Sequence, residues 1–102
     1  MSSARGKHLL TVYAGVPANI ENDFNNWYNQ QHIPERLAIA GFQSAARYES
    51  IKGEPKYIAL YELDDAGVLE SPAYKKLREK ADNDEWDRRI MPKLQIDARA
   101  IY

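Results

Sequence analysis

The order of hydrophobic periodicities along the chain limits its fold more than any other feature. Four stretches are rich in β-forming residues or alternate apolar with polar residues, which predicts strands. They are residues 7–15, 42–51, 56–63 and 94–102. Two other regions repeat apolar residues every three to four positions, which predicts helices. They run from Asn19 or Asn22 to about Gln31, with a second piece at residues 34–39, and over residues 72–81.

The resulting β-α-β-β-α-β order favours an α+β fold, the ferredoxin-like plait, in which both helices cover one face of a four-stranded antiparallel sheet. In the first and third strands both alternating sets of side chains are largely apolar, so the sequence does not decide which face meets the helices. The face without helices should then be covered as well. A second copy of the chain is the simplest cover, which predicts a homodimer.

Length and composition narrow the class of protein. The 102 residues predict a single domain with a flexible terminus at residues 1–6. With 14 Lys and Arg against 15 Asp and Glu, nothing favours nucleic acid or a membrane surface as a partner. The absence of cysteine excludes disulfides and thiolate chemistry. No apolar run approaches a membrane span of roughly 20 residues, and no signal peptide is evident, so we expect a cytoplasmic protein.

The segment Asp23–Arg36 concentrates the residues that can do chemistry. Phe24, Tyr28 and His32 are spaced by four, so they share one stripe of a helix and should face the interior. Pro34 lacks a backbone N–H and clashes with the preceding turn, so we expect the helix to kink or break there. An inward-facing histidine beside a broken turn is the best candidate for a functional site.

Several short motifs spread along the chain resemble a known superfamily. They are Trp27-Tyr28, His32-Ile33-Pro34-Glu35-Arg36, Gly41-Phe42, Ala46-Arg47-Tyr48, the run from Pro55 to Leu63, and Ser71-Pro72-Ala73-Tyr74. Over about residues 8–102 the sequence is similar to the dimeric α+β barrel superfamily, and within it to the small EthD-like proteins. The resemblance implies a dimer formed sheet to sheet, with a pocket between sheet and helices in each subunit. Because related barrels include monooxygenases, isomerases, cyclases and haem-degrading enzymes, it implies a fold rather than a reaction.

His32 and Tyr28 are the candidate catalytic residues. Histidine has a pKa near 6.5, so His32 can take or give a proton near neutrality. Tyr28, one turn earlier, could donate a hydrogen bond to a substrate oxygen or to the imidazole. The structural alternative is a core histidine whose ring bonds to a backbone carbonyl that Pro34 leaves free. The resemblance favours the functional interpretation.

Five further residues are candidates for binding a substrate. They are the aromatic residues Trp27, Phe24, Tyr61 and Trp86, together with His8 at the start of the first strand. Trp86 is the one large apolar residue of the polar stretch 83–89, for which we predict a short extra turn. The alternatives are core packing for the aromatic residues and a solvated strand end for His8. No histidine or carboxylate spacing supports a metal site, so we predict neither metal nor cofactor.

Two arginines lie in the middle of predicted strands. We expect Arg47 and Arg99 to pair with Glu49, Glu62 or Asp97 at the dimer interface rather than to bind a substrate anion.

Three functions remain open from the sequence. The first is a cofactor-independent enzyme that performs acid/base chemistry of the isomerase, cyclase or lyase type on a small apolar carbonyl or aromatic metabolite. The second is a cofactor-free monooxygenase that deprotonates a phenolic substrate. The third is a non-catalytic accessory protein that binds a metabolite.

Overall fold

The computed structural model describes residues 7–102, and the terminus predicted to be flexible, residues 1–6, lies outside this range. Its strands are β1 (His8–Gly15), β2 (Phe42–Glu49), β3 (Tyr57–Leu63) and β4 (Gln95–Ile101). They form one antiparallel sheet in the order β2-β3-β1-β4. The four predicted strands are therefore confirmed. The second one is shorter than expected, because it ends at Glu49 and Ile51 beyond it is fully exposed.

The helices are α1 (Glu21–Trp27), α2 (Ile33–Leu37), α3 (Pro72–Ala81) and α4 (Glu85–Ile90), with single 3₁₀ turns at Ala18–Ile20, Ala66–Glu70 and Met91–Lys93. Ser71 caps α3 by accepting a hydrogen bond from the backbone N–H of Tyr74. Asp84 caps α4 in the same way, so a helix forms where only a short turn was predicted. Strands and helices together give the predicted ferredoxin-like α+β fold.

The helical path continues through Pro34, so the prediction of a break there is wrong. Tyr28–His32 form a π turn, in which the Ile33 N–H donates to the carbonyl oxygen of Tyr28, five residues earlier. The backbone dihedral angles are helical on both sides of this turn. A π turn is wider than an α turn. We infer that the extra width relieves the clash between the proline ring and the carbonyl one turn earlier.

The register of the sheet decides which strand faces meet the helices. Leu10, Val12 and Ala14 of β1 face the helices, and so does Tyr61 of β3, which pairs with Leu10. The largest fully buried side chains, among them Trp27, lie in the layer between this side of the sheet and the helices.

A bulge in β4 brings two further side chains to the helix side. Strict alternation would place Ile96 and Ala98 on the same face. Tyr13 pairs with Ala98 whereas its neighbour Ala14 pairs with Ile96, so β4 has one extra residue at this point. Ile96 therefore faces the helices, as does Arg99, while Ala98 faces the opposite side.

The side of the sheet turned away from the helices, which we call the outer face, is largely apolar. Its apolar residues are Leu9, Tyr13, Ala46, Tyr48, Ile58, Leu60, Ala98, Ala100 and Tyr102, and its polar residues are Thr11, Ser44 and Glu62. Tyr48 is 58% exposed and Tyr102 is 69% exposed. In residues 7–102 no helix packs over this face, and a contiguous apolar surface of this kind is typical of an interface.

Gly41, between α2 and β2, should tolerate no side chain. Its φ is +101°, and a Cβ there would lie 2.3 Å from Cγ2 of Val68. We therefore expect Gly41→Ala to lower the free energy of unfolding by about 2–4 kcal/mol, from backbone strain and overpacking together. Urea unfolding measures this change.

Two other glycines serve as controls for that substitution. Gly53 has a similar φ of +96° but open space around its Cα, so Gly53→Ala reports the backbone strain alone. Gly15 has neither constraint, and Gly15→Ala should change stability little. Equal effects of the three substitutions would contradict the role given to Val68.

Candidate functional site

A cavity of about 750 Å³ lies between the helix side of the sheet and the helices. This volume is typical of a small-molecule site. The sheet contributes Leu10, Val12, Ala14, Phe42, Tyr61, Ile96 and Arg99. The first helical region contributes Trp27, Tyr28, His32 and Arg36, and α3, α4 and the turn after them contribute most of the rest, including Tyr74, Arg78, Asp87, Arg88 and Met91. The sheet side of the lining is thus mostly apolar, with the Tyr61 hydroxyl and Arg99 as its polar groups, and the helix side carries most of the other polar groups.

The π turn sets the position of His32 in the wall of this cavity. The centroid of its ring lies 4.5 Å from that of Trp27, five residues earlier, and 4.7 Å from that of Tyr28. Nδ1 of His32 is buried and has no hydrogen-bond partner among residues 7–102. The structural alternative, a core histidine bonded to a freed carbonyl, is therefore not what forms. Nε2 is then the ring nitrogen that can meet a ligand.

The surroundings of His32 favour its uncharged form. Burial lowers its pKa well below the usual 6.5, and the positive charges of Arg36 and Arg47 lower it further. The imidazole is therefore neutral at pH 7. A neutral imidazole can accept a proton, which is the chemistry of a general base.

Tyr28 and Tyr61, which we call the hydroxyl pair, form the second polar feature of the wall. Their hydroxyl oxygens lie 2.8 Å apart and both side chains are buried. Burial raises the pKa of each phenol, so both keep their protons near neutrality. Within the pair one O–H donates and the other oxygen accepts, which leaves one O–H without an acceptor among the described residues. That O–H is available to a ligand oxygen.

Arg36 stands one helical turn after His32 and also lines the cavity. Its guanidinium carbon lies 5.9 Å from the centroid of the Tyr74 ring. Its nearest carboxylate oxygen, Oε1 of Glu35, is 3.9 Å from Nη1, which is too far for a hydrogen bond. The residue is 8% exposed, so a nearly buried cation borders the cavity without a close acceptor in residues 7–102.

A buried carboxylate also lines the cavity, next to Trp27. Asp87 is 2% exposed, and its Oδ1 accepts a 2.7 Å hydrogen bond from the indole N–H of Trp27. Its Oδ2 lies 3.4 Å from the Lys80 ammonium group, which also contacts Glu35 and Asp84. Lys80, on α3, therefore links Glu35 of α2 to Asp87 of α4 and to Asp84, which caps α4. The pKa of Asp84 falls to about 2, chiefly because its carboxylate accepts the backbone N–H of Asp87.

The structure brings together four of the seven residues predicted for the site: His32, Tyr28, Trp27 and Tyr61 all line the cavity. Phe24 does not, because the larger rings around it enclose it fully in the core. Trp86 does not either, since its indole N–H points away to Asp23, at 2.9 Å. His8 lies at a strand end, where Nδ1 is 3.0 Å from the backbone oxygen of Tyr102.

The register of the sheet contradicts the prediction that Arg47 and Arg99 lie at the dimer interface, because it places both on the helix side. Arg47 pairs with Ala59 on the helix side, where it donates hydrogen bonds to the side-chain oxygens of Asn25 (2.8 Å) and Asn29 (3.0 Å). Its guanidinium carbon lies 4.3 Å from the centroid of the Tyr28 ring, a cation–π contact. It therefore supports the cavity wall instead of pairing with a carboxylate at the outer face. Arg99 faces the helices and lines the cavity because it pairs with Val12 of β1.

Sequence reasoning missed Arg36 and Asp87 as site residues. Arg36 lies four residues after His32, so helical spacing could have placed it beside the histidine. Asp87 carried no such signal, because its burial depends on α4 and on the indole of Trp27, 60 residues earlier.

Across residues 7–102 no group of three or more histidine, aspartate or glutamate side chains is arranged to hold a metal ion. Within the same residues, no helix has the length and apolar character needed to cross a membrane.

No protein-family model matches this sequence, and no curated protein matches it either. Solved structures do match. A monooxygenase-like protein from Shewanella loihica has a TM-score of 0.71 at 16% identity, with 93% of this chain and 90% of that chain covered. An EthD-family protein from Bacillus halodurans has a TM-score of 0.60 at 16% identity, covering 93% and 94%. This chain therefore shares the ferredoxin-like α+β fold of these proteins.

A third structure with this fold is MhuD, a haem-degrading protein from Mycobacterium tuberculosis whose structure holds two haems in its active site. Its TM-score is 0.62 at 14% identity, with 93% of this chain and 90% of that chain covered. The resemblance that the sequence motifs indicated is thus confirmed at the level of the ferredoxin-like fold. At such identities the likeness shows the fold alone.

Proposed function

We propose that this protein is a cofactor-independent enzyme that moves a proton within a small, largely apolar carbonyl compound bound in the cavity. One observation carries the proposal. A neutral histidine without a hydrogen-bond partner and a buried hydroxyl pair with a free O–H line the same cavity. A base and a hydrogen-bond donor are the two groups that removal of a proton next to a carbonyl requires.

In the proposed step Nε2 of His32 takes a proton from the carbon beside the carbonyl group. The C–H bond breaks, its electron pair forms a C=C bond, and the negative charge moves to the carbonyl oxygen. The free O–H of the hydroxyl pair donates to that oxygen. The imidazolium then returns the proton to another carbon of the same molecule, which completes an isomerisation. The same enolate can instead close a ring or expel a leaving group, as in cyclase and lyase reactions.

Hydrogen–deuterium exchange tests this step without knowledge of the natural substrate. 4-Phenyl-2-butanone, a neutral ketone with an aromatic ring, is incubated in D₂O with the protein, and NMR follows the loss of protons beside the carbonyl. We expect faster exchange than with imidazole buffer at the same concentration. Exchange at the buffer rate across a panel of such ketones would contradict the proposal.

A cofactor-free monooxygenase is the second candidate, favoured by the monooxygenase-like protein with the same fold. In that case His32 would deprotonate a phenol, and the phenolate would react with oxygen. Oxygen consumption in the presence of a quinol separates this candidate from the first. Titration with haemin tests the prediction that no cofactor takes part, because a shifted Soret band would show that the cavity accepts haem. A non-catalytic carrier would keep its affinity for ligands after His32→Gln.

We also propose that a second copy of the chain covers the outer face. Its apolar strand residues and exposed Tyr48 and Tyr102 support this arrangement. Light scattering at micromolar concentration should then give twice the 11.7 kDa chain mass. Leu60→Arg, which places a charge in the middle of the outer face, should shift the mass towards one chain, whereas Lys76→Glu on exposed α3 should not. A wild-type mass of one chain would contradict the dimer.

A further inference from the structure

We propose that the cavity selects ligands that carry a carboxylate, and that Arg36 binds this group. The inference rests on the proposed function in one respect, because it takes the cavity to be the ligand site. It adds the chemical class of the ligand: an apolar body with one acidic end.

The guanidinium group of Arg36 lacks hydrogen-bond acceptors among the described residues. A guanidinium has five N–H donors, and a nearly buried cation is costly unless those donors find acceptors. Arg36 is 8% exposed and lines the cavity, yet no side chain or backbone oxygen in residues 7–102 accepts a hydrogen bond from it. The cavity is therefore the side from which an acceptor can arrive.

The carboxylates near Arg36 already interact with other side chains. Glu35 and Asp84 both contact the Lys80 ammonium group. Asp87 accepts from Trp27 and also lies close to Lys80. All three acids thus contact Lys80, and none of them reaches Arg36 at hydrogen-bond distance. A ligand carboxylate would fit the fork of the guanidinium with two parallel hydrogen bonds.

Arg36 also lies close to the candidate catalytic residue His32. His32 and Arg36 lie four residues apart on a helical backbone, which places their Cβ atoms about 5–6 Å apart. A carboxylate held by Arg36 would thus put the adjoining carbons of the ligand near Nε2 of His32. The lining also contains Arg78, Arg88 and Arg99, which outnumber its two carboxylates, Asp82 and Asp87, so its charge favours an anion as well.

Binding of two isosteric probes tests the inference. 3-Phenylpropanoate carries the carboxylate, and 3-phenylpropanamide has the same shape without the charge. Calorimetry should show the carboxylate binding to the wild-type protein about 10- to 100-fold more tightly, the scale of hydrogen bonds to a charged group. In Arg36→Gln the two probes should bind within about threefold of each other, and Arg36→Lys should keep only part of the preference.

Arg89→Gln is the matched control, because it removes an exposed arginine of α4 that does not line the cavity. It should change the preference by less than about threefold, since an exposed charge is screened by water and salt. Equal affinity for the two probes in the wild-type protein would overturn the carboxylate inference and leave the proposed function standing. A preference that survives in Arg36→Gln would also overturn it, because Arg36 would then not be the binding group. Failure of both probes to bind would overturn this inference and count against the cavity as the ligand site.

Discussion

Replacing His32 with glutamine should slow the exchange of protons beside the ketone by about 10²–10⁴-fold, the usual contribution of a general acid or base. Glutamine is similar in size and polar, but it cannot accept a proton near neutrality. His8→Gln makes the same chemical change at a strand end outside the cavity, and its exchange rate should stay at the wild-type value. Circular dichroism should show that both variants are folded. A His32→Gln rate within a few-fold of wild type would remove the histidine from the mechanism.

The pH dependence of the same reaction follows from the state of the imidazole. His32 acts as a base only while it is neutral, and burial together with Arg36 and Arg47 lowers its pKa well below 6.5. The catalysed rate should therefore not fall with the protonation of this histidine as the pH drops from 8 to 6.5, and should decline only below that. Tyr28→Phe should slow the reaction less than His32→Gln does, because it removes one hydroxyl and keeps the ring.

Truncating Trp27 should have the largest effect on stability. The side chain is fully buried, and Trp27→Ala should lower the free energy of unfolding by about 3–5 kcal/mol through the cavity that it leaves. The loss also deprives buried Asp87 of its 2.7 Å hydrogen bond, which adds to the cost. Since whole domains are stable by only about 5–15 kcal/mol, this change should be plain in urea unfolding.

Two further substitutions separate the contributions of the indole. Trp27→Phe keeps most of the ring but removes the N–H donor, so it should cost about 1–3 kcal/mol by leaving the Asp87 oxygen unpaired. Trp86→Ala truncates the other tryptophan, which is only partly buried, and should cost less than Trp27→Ala. Unfolding of the two alanine variants at the same urea concentration would contradict the larger contribution to stability that we expect from the fully buried Trp27.

The element order and the inward direction of the first helix could be predicted from the sequence because both depend on local periodicity. Richness in β-forming residues or alternation identified all four strands, and the four-residue spacing of Tyr28 and His32 placed both on the inner side of the helix. The effect of Pro34 was misjudged because sequence rules treat the α-helix as the one available geometry. A π turn absorbs the proline at the cost of one extra residue in the turn.

The site could be predicted only where a single helix carries it. The hydroxyl pair joins Tyr28 to Tyr61, 33 residues away, and the contact depends on the register of β3 against β1. Arg47 was misplaced for the same reason, because a one-residue difference in register moves a side chain to the other face of a sheet. When both faces of a strand are apolar, its sequence does not show which face packs against the helices.

The ionisation of His32 in the presence of a ligand is the most direct test of the account. The ¹⁵N resonances of its imidazole can be followed by NMR from pH 8 to pH 4.5, with His32→Gln used to assign them. The account predicts that the ring is still mainly neutral at pH 6.5, and that adding 4-phenyl-2-butanone shifts the Nε2 resonance. A ring that becomes charged at or above pH 6.5, or resonances that do not respond to saturating ketone, would contradict the central claim that a neutral His32 faces the ligand in this cavity.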